Sequence, residues 1–276
     1  MAHVWAVILG LVQGLAEFLP ISSTAHLKLI PWIFQVQQSV PFLSDPVKAQ
    51  AFDIALHAGS AIAILFALWT DWLDLARGAI RRESTSWKFL GFLLVTSIPG
   101  AIFGVLLDKK IEVYSSPAEF HAAPLIVGIA LIVFGVLLWA VDRFVARQDA
   151  LTGMTWPKAA MIGLAQALAL IPGVSRSGAT MTAGRGLGLS REAVARYSFM
   201  AALPIIAGAA VWGLKDVGLS TLLSLDWVLG FVAAAISSLI FMRWMLGYVR
   251  KHSFSVFMWY RVALGVFVIG LFLIRG

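Results

Sequence analysis

Apolar residues gather into runs long enough to span the hydrocarbon core of a bilayer, which takes about 20 residues of helix. Six runs read as ordinary spans: 54–70, 89–107, 124–141, 198–214, 227–246 and 257–274. Tryptophans stand near their ends (Trp69, Trp72, Trp87, Trp139, Trp212, Trp227 and Trp259), where amphipathic rings belong at the membrane–water interface. Two further apolar segments, 3–30 and 156–189, are each broken near the middle by a proline and a cluster of hydroxyl residues. Such breaks predict helical hairpins that dip into the membrane and return. The first segment is not patterned as a signal peptide: no Lys or Arg precedes it, and Gln13 and Glu17 lie within it.

The two broken segments resemble each other. Gly10-Leu11-x-Gln13-x-Leu15-Ala16 matches Gly163-Leu164-x-Gln166-x-Leu168-Ala169, and Pro20 and Ser23 align with Pro172 and Ser175 after one deletion. Downstream, Leu90-Gly91-Phe92 matches Leu229-Gly230-Phe231, and Ala130-Leu131-x-Val133-Phe134 matches Ala263-Leu264-x-Val266-Phe267. The order is kept, which favours an internal duplication within one membrane domain, 1–276: a first repeat at 1–143 and a second at 156–276. Each repeat holds one re-entrant hairpin and three spans. Three is odd, so the second repeat is inverted, and the hairpins enter from opposite faces to meet near the midplane. The expected fold is therefore all-α, a polytopic integral membrane protein of two inverted-topology repeats.

Composition agrees. Of 276 residues, 60% are hydrophobic and only 13% charged, against about 25% charged in a soluble domain. That excludes a disordered chain and argues against a soluble enzyme. The absence of cysteine excludes disulfides and thiolate chemistry. A net charge of +7 could suggest nucleic-acid binding, but the basic residues fall in alternate loops: Arg77, Arg81, Arg82 and Lys88, then Arg143, Arg147 and Lys158, then Arg250 and Lys251. The opposite loops hold Lys109, Lys110 and Lys215, diluted by Asp108, Glu112, Glu119 and Asp216. The surplus is a topology signal that makes the first set cytoplasmic. The first hairpin then enters from outside and the second from the cytoplasm.

Polar residues left inside the membrane are costly. In the first hairpin Gln13 and Glu17 are four apart, on one helix face. Pro20 ends that helix, Ser22 or Ser23 caps a new one, and His26 follows Ser23 by three. The second hairpin repeats the logic in Pro172-Gly173-Val174-Ser175-Arg176-Ser177-Gly178-Ala179-Thr180. Free N–H groups at such helix starts favour an anion, and Arg176 adds a planar donor suited to phosphate. Together the hairpins would form a phosphate site with catalytic groups. Glu17 would hold a hard divalent cation with water and phosphate as further ligands, as Mg²⁺ prefers; a serine such as Ser23 activated by His26, or His26 itself, would be the nucleophile, or His26 the base on water.

Each residue also has a structural reading. Ser22, Ser23 and Thr24 are ordinary helix caps taken alone; His26 is a satisfied polar residue; Arg176 could snorkel. Glu17 resists dismissal, because a carboxylate in an apolar run needs a partner. Asp53 and His57 share a face at the start of the first span, either as supports of the site or as helix-end polar residues. Arg261, one turn into the last span, is expected to snorkel. Pro99 and Pro204 are expected kinks. Arg185, Arg191 and Arg196 read as cytoplasmic-side charges, and 31–50 as an outer loop able to cover the site.

These residues resemble the bacterial undecaprenyl-pyrophosphate phosphatases. The resemblance rests on Gln13-x-x-x-Glu17-Phe18-Leu19-Pro20-Ile21-Ser22-Ser23-Thr24-Ala25-His26 and on Pro172-Gly173-Val174-Ser175-Arg176-Ser177-Gly178-Ala179-Thr180. It implies hydrolysis of the lipid pyrophosphate to undecaprenyl phosphate and inorganic phosphate, which recycles the carrier for cell-wall synthesis. It implies bacitracin-resistance effects, a divalent cation, the bacterial cytoplasmic (inner) membrane and a site open to the outer face. Glu17 and Arg176 become the essential polar pair, Ser23 and His26 nucleophile or base candidates, and Ser175, Ser177 and Thr180 phosphate ligands, with Gln13, Ser22 and Thr24 beside them. Gln13 stands where the family often has Glu, which weakens a paired-carboxylate metal site. The implied partners are the lipid substrate and the bilayer, with no nucleic acid; a homodimer is left open. A flippase or transporter of a phosphorylated polyprenyl lipid is the rival, since it wants the same anion site but not the Glu17–Ser23–His26 set. The type-2 phosphatidate phosphatases would need a His where Thr182 stands.

Overall fold

The computed structural model describes residues 1–115, 123–146, 149–214 and 217–275, and the side chains of these except 107–115. Among the topology charges, Glu119, Arg147, Lys215 and Asp216 lie outside the described residues, as do the side chains of Asp108, Lys109, Lys110 and Glu112. The described chain is helical, with no strand and a single isolated bridge, Asp149 to Leu189.

Among the described residues, six helices are long and apolar enough to cross a membrane: α3 (Pro46–Ala67), α5 (Ser84–Ser115), α6 (Ala123–Phe144), α9 (Arg191–Gly213), α11 (Leu225–Val249) and α12 (Ser255–Arg275). Each contains most of one expected span. Their outward faces carry Ile98, Ile102, Val133, Ile236, Ile240 and Phe267, all exposed. Water would not tolerate so continuous an apolar surface, whereas lipid does.

Between these lie shorter helices. The first broken segment becomes α1 (Ala2–Phe18) and α2 (Ser23–Phe34), and the second becomes α7 (Trp156–Ala167) and α8 (Arg176–Gly186). A 12-residue helix is about 18 Å long at 1.5 Å per residue, too short to cross about 30 Å of hydrocarbon. α1 packs along α11, where a Cβ on Gly10 would come 2.3 Å from the Gly230 carbonyl oxygen and one on Gly14 2.4 Å from the Ser238 nitrogen. α7 packs along α5, where a Cβ on Gly163 would come 2.7 Å from the Thr96 carbonyl oxygen. Any side chain at these positions would force the helices apart.

Four expectations change. The first span begins at Pro46 rather than near 54, because the Asp45 side chain accepts from Lys48 N at 3.0 Å and Pro46 opens the helix. The outer loop shrinks to 35–45, since Pro31 lies inside α2, which runs on to Gln35 in the left-handed region (φ 55). That loop buries Val40, Phe42 and Leu43 against α3 and α11, with the Phe42 ring tilted by 30° and centred 4.2 Å from that of Phe52. Residues after the first span form a helix of their own, α4 (Trp69–Ile80), with Asp71 in its first turn and Arg77 in its last, the order a helix dipole favours. Finally, Arg185 is not a surface charge. It is 2% exposed and donates to Asp142 at 3.1 Å and to the carbonyls of Leu189 and Val145. Asp142 also accepts from Arg191 at 2.7 Å and from Phe254 N at 3.1 Å, which ties α6, α8, α9 and α12 together. Arg196 pairs with Asp71. Pro99 and Pro204 do lie inside helices, α5 and α9. The last helices are α10 (Leu219–Leu222), a single turn, and the two spans after it.

Candidate active site

The breaks of the two hairpins meet. After Phe18 the chain leaves the helix at Leu19 (φ −77, ψ 141), as a residue before proline must. Ser22 then takes φ 76 and its Oγ accepts from Ala25 N at 3.4 Å to start α2. In the second hairpin Ile171 is extended, Gly173 takes φ 98 and Ser175 takes φ 74, its Oγ accepting from Gly178 N at 3.1 Å. Ser22, not Ser23, is thus the structural counterpart of Ser175: both are N-caps with positive φ. That conformation is disfavoured for a residue with a Cβ, at about 1–3 kcal/mol each, and such outliers gather at functional sites. The breaks are tied directly where Ser177 Oγ donates to the Leu19 carbonyl at 3.1 Å.

Glu17 is the hub. It is 5% exposed, and each carboxylate oxygen has its own partners. Oε1 accepts from Arg176 Nε at 3.4 Å and Nη2 at 3.2 Å. Oε2 accepts from Ser23 Oγ at 2.6 Å and from Gln13 Nε2 at 3.0 Å, and His57 Nε2 stands 3.4 Å away. Arg176 is held from behind, where Nη1 donates to the Ser198 carbonyl at 2.9 Å. A charge buried in this way is tolerable only when paired and hydrogen-bonded.

The structure therefore brings Gln13, Glu17, Ser23 and Arg176 into one cluster and places Ser22 and Ser175 as the caps beneath it. Ser177 lies 3.2 Å from Ser175 Oγ. Thr180 is turned toward α9, its hydroxyl 2.6 Å from Ser198 Oγ and bonded to the carbonyls of Arg176 and Ser177. Thr24 is half-buried in the first turn of α2. His26 is not in contact with Glu17. Its Nδ1 donates to the Ser22 carbonyl at 2.7 Å, so Nε2 is left to accept from the Tyr260 hydroxyl at 2.6 Å.

The histidine beside Glu17 is His57 on α3, whose Nδ1 donates to the Asp53 carbonyl at 2.7 Å. The shared face of Asp53 and His57 was a faint sequence signal for this; Tyr260 and Ser198 had none. Asp53 lies within electrostatic reach of Lys28 and His57, so polar groups continue from Glu17 along α2 and α3. Among the described residues, Gln13 Oε1 is buried without a hydrogen-bond partner.

Chemically, helix geometry leaves the amides of Ser23, Thr24, Arg176 and Ser177 without intrahelical acceptors. Two helix starts, a guanidinium and a carboxylate bonded to a serine thus stand together, donors able to receive an anion next to a proton acceptor. The architecture is that of a polytopic helical membrane protein with a buried polar cluster between two serine-capped helix breaks.

The chain matches the family described as "Bacitracin resistance protein BacA" over residues 6–267, and it belongs to that family. It is 41% identical to the undecaprenyl-diphosphatase of Pelotomaculum thermopropionicum over 268 residues, 96% of this chain and 94% of that protein. It is 40% identical to the undecaprenyl-diphosphatase of Desulforudis audaxviator, covering 98% of both chains. It is 39% identical to that of Moorella thermoacetica over the full length of both.

Proposed function

We propose that this protein is an undecaprenyl-diphosphatase, hydrolysing undecaprenyl diphosphate to undecaprenyl phosphate and inorganic phosphate within the membrane. The observation that carries the reading is the Glu17–Arg176 pair, 3.2 Å apart between two serine-capped helix starts, with Ser23 Oγ 2.6 Å from the carboxylate. A terminal phosphoryl group would take the place of Glu17 at Arg176, its oxygens received by the guanidinium and the open amides of α2 and α8. Ser23 Oγ then attacks phosphorus as Glu17 takes its proton; the Oγ–P bond forms, the anhydride P–O bond breaks, and undecaprenyl phosphate leaves. Glu17 passes that proton to the leaving undecaprenyl phosphate; water then attacks the phosphoserine as Glu17 takes its proton, the Oγ–P bond breaks, inorganic phosphate leaves, and Glu17 returns the proton to Ser23 Oγ. Catalysis rests on positioning and charge stabilisation. Ser23 is favoured over His26 as nucleophile because both ring nitrogens of His26 are engaged elsewhere.

A divalent cation fits the donors present. Glu17 supplies a carboxylate and Gln13 an unpartnered buried oxygen, and Mg²⁺ is commonly bound by one or two carboxylates with substrate phosphate and water. Once bound, the cation would supply charge neutralisation at the phosphoryl oxygens. Among the described residues no group of three or more His, Cys, Asp or Glu could hold one without the substrate.

The two-repeat, inverted reading gains support from reciprocal packing. α1 lies on α11 and α7 on α5, while Gly128 of α6 and Gly265 of α12 press against each other. The location that follows is the bacterial cytoplasmic membrane. Arg77, Arg81, Arg82, Lys88, Arg250 and Lys251 mark the cytoplasmic ends, and the polar line from Glu17 through His57 to Asp53 and Lys28 leads toward the opposite, outer end.

The test is phosphate release from undecaprenyl diphosphate by the purified protein in detergent, with Mg²⁺, with Ca²⁺ and with chelator. Release that depends on the cation is expected. No release under any condition overturns the reading, and lipid movement across vesicles without release would favour a flippase.

A further inference from the structure

Arg261 does not snorkel to the interface. It is 0% exposed, and among the described residues its hydrogen bonds all end on backbone carbonyls. Nη1 donates to Pro20 at 3.0 Å; Nη2 donates to Gly173 at 2.8 Å, Val174 at 3.1 Å and Ala130 at 3.4 Å; Nε donates to Leu131 at 3.0 Å. Pro20 lies in the break of the first hairpin, and Gly173 and Val174 in the break of the second. A broken helix cannot supply its own carbonyls with N–H partners, and no water competes for them here. The planar five-donor fork of arginine can reach carbonyls on three elements at once, which an ammonium cannot. Two glycines leave it room: a Cβ on Gly135 would come 3.3 Å from Nε, and one on Gly178 2.9 Å from Nη1.

We infer that Arg261 is a positioning residue for the phosphatase reaction, a clamp that sets the two hairpin breaks in register. The inference rests on the phosphatase reading above. Of the groups proposed to receive phosphate, Arg176 and the amides of α8 belong to the second hairpin and the amides of α2 to the first, which also carries Glu17 and Ser23, the groups proposed to do the chemistry. Slippage between the hairpins leaves the guanidinium and the α8 amides able to hold phosphate but spoils the attack geometry, where about 1 Å can cost about 100-fold in rate. Arg261 therefore acts on kcat more than on KM.

The other fully buried arginine, Arg185, is the control. It is tied to Asp142 and to the carbonyls of Leu189 and Val145, away from both breaks. Arg261→Lys, Gly178→Ala and Arg185→Lys would each be measured for kcat, KM, thermal unfolding and hydrogen exchange in detergent. Arg261→Lys is expected to lower kcat at least about tenfold with KM within about threefold, and to speed exchange in the peptides covering 19–25 and 172–178. Gly178→Ala, whose Cβ would come 2.9 Å from Nη1 and 3.1 Å from Ser175 Cβ, displaces the guanidinium without removing it; it is expected to do the same, with a smaller loss of thermal stability than Arg261→Lys. It keeps the test open if Arg261→Lys does not fold. Arg185→Lys is expected to lower thermal stability with kcat and KM unchanged. Unchanged exchange at both breaks in the Arg261 and Gly178 variants overturns the clamp. Faster exchange with unchanged kcat overturns the positioning role. Wild-type protein that releases no phosphate overturns the phosphatase reading alone, because exchange still judges the clamp.

Discussion

In both hairpins a helix stops at an extended residue before proline, and a serine at φ 76 or 74 caps the helix that returns. The charges they carry are placed oppositely. Glu17 stands in the last turn of α1, the negative end of that helix, while Arg176 is the first residue of α8, the positive end of its own. Each charge occupies the helix end that disfavours it. The first hairpin gives Glu17 only the neutral donors Ser23 and Gln13; its opposite charge comes from Arg176, at 3.2 Å across the junction. A pair held by tertiary structure alone can be exchanged for a ligand, and an arriving phosphate would find two positive helix ends and a guanidinium together. Matched backbones thus position the charges, and mismatched charges make the site usable.

The comparison breaks most severely if the cation is removed. Arg176→Ala should reduce phosphate release by about 10³-fold or more, since it removes the planar donor from the developing charge. It also leaves Glu17 buried without its cation, a loss of the order of 3–5 kcal/mol. The variant should purify as a folded protein with a lower unfolding temperature. Substantial residual turnover would place the phosphate elsewhere than the second hairpin.

Removing the anion should cost somewhat less. Glu17→Gln keeps the shape and a hydrogen bond to Ser23 but cannot take its proton, so turnover should fall by about 10²–10⁴-fold. Its dependence on Mg²⁺ should weaken as well. A titration with Mg²⁺ that matches the wild type would remove Glu17 as a ligand, and near-normal turnover would remove it as the base.

The shared half of the design is tested by the caps. Ser22→Ala and Ser175→Ala should each destabilise by about 1 kcal/mol through the lost cap. Because both sites need positive φ, Ser22→Gly and Ser175→Gly should unfold later than the alanine variants. Equal unfolding temperatures for alanine and glycine would mean that the positive φ is not what those positions select.

Much of this was legible in the sequence because it is local. The six spans follow from apolar run length, and Pro20, Pro172 and the serines after them mark the breaks through the backbone preferences of single residues. Gln13 and Glu17 share a face by helix periodicity alone. What could not be read depends on contacts between distant segments. His57 meets Glu17 from 40 positions away, and a histidine at the edge of an apolar run carries no mark of where it will point. Arg261 looked like a snorkelling charge because its partners are main-chain carbonyls, which no residue pattern advertises. Arg185 is hidden by distance instead, its Asp142 partner lying 43 positions back. The choice between Ser22 and Ser23 as cap turned on one inserted residue, Gly173, whose φ of 98 changes how the two breaks align.

The smallest expected effect concerns the two histidines. His57 and His26 are each fixed through Nδ1 by a carbonyl four residues back, at 2.7 Å in both cases. Their Nε2 atoms differ: that of His57 faces Glu17 at 3.4 Å, and that of His26 accepts from Tyr260 at 2.6 Å. Tyr260→Phe removes that one donor and leaves the stacked rings in place. If His26 only braces α2 against α12, turnover should drop by about fivefold or less, the worth of one hydrogen bond. His57→Gln should drop it further, because it alters a group in contact with the carboxylate. A loss of 100-fold or more in Tyr260→Phe, with His57→Gln near normal, would reverse the assignment. His26, oriented through Tyr260, would then be the histidine that serves the chemistry.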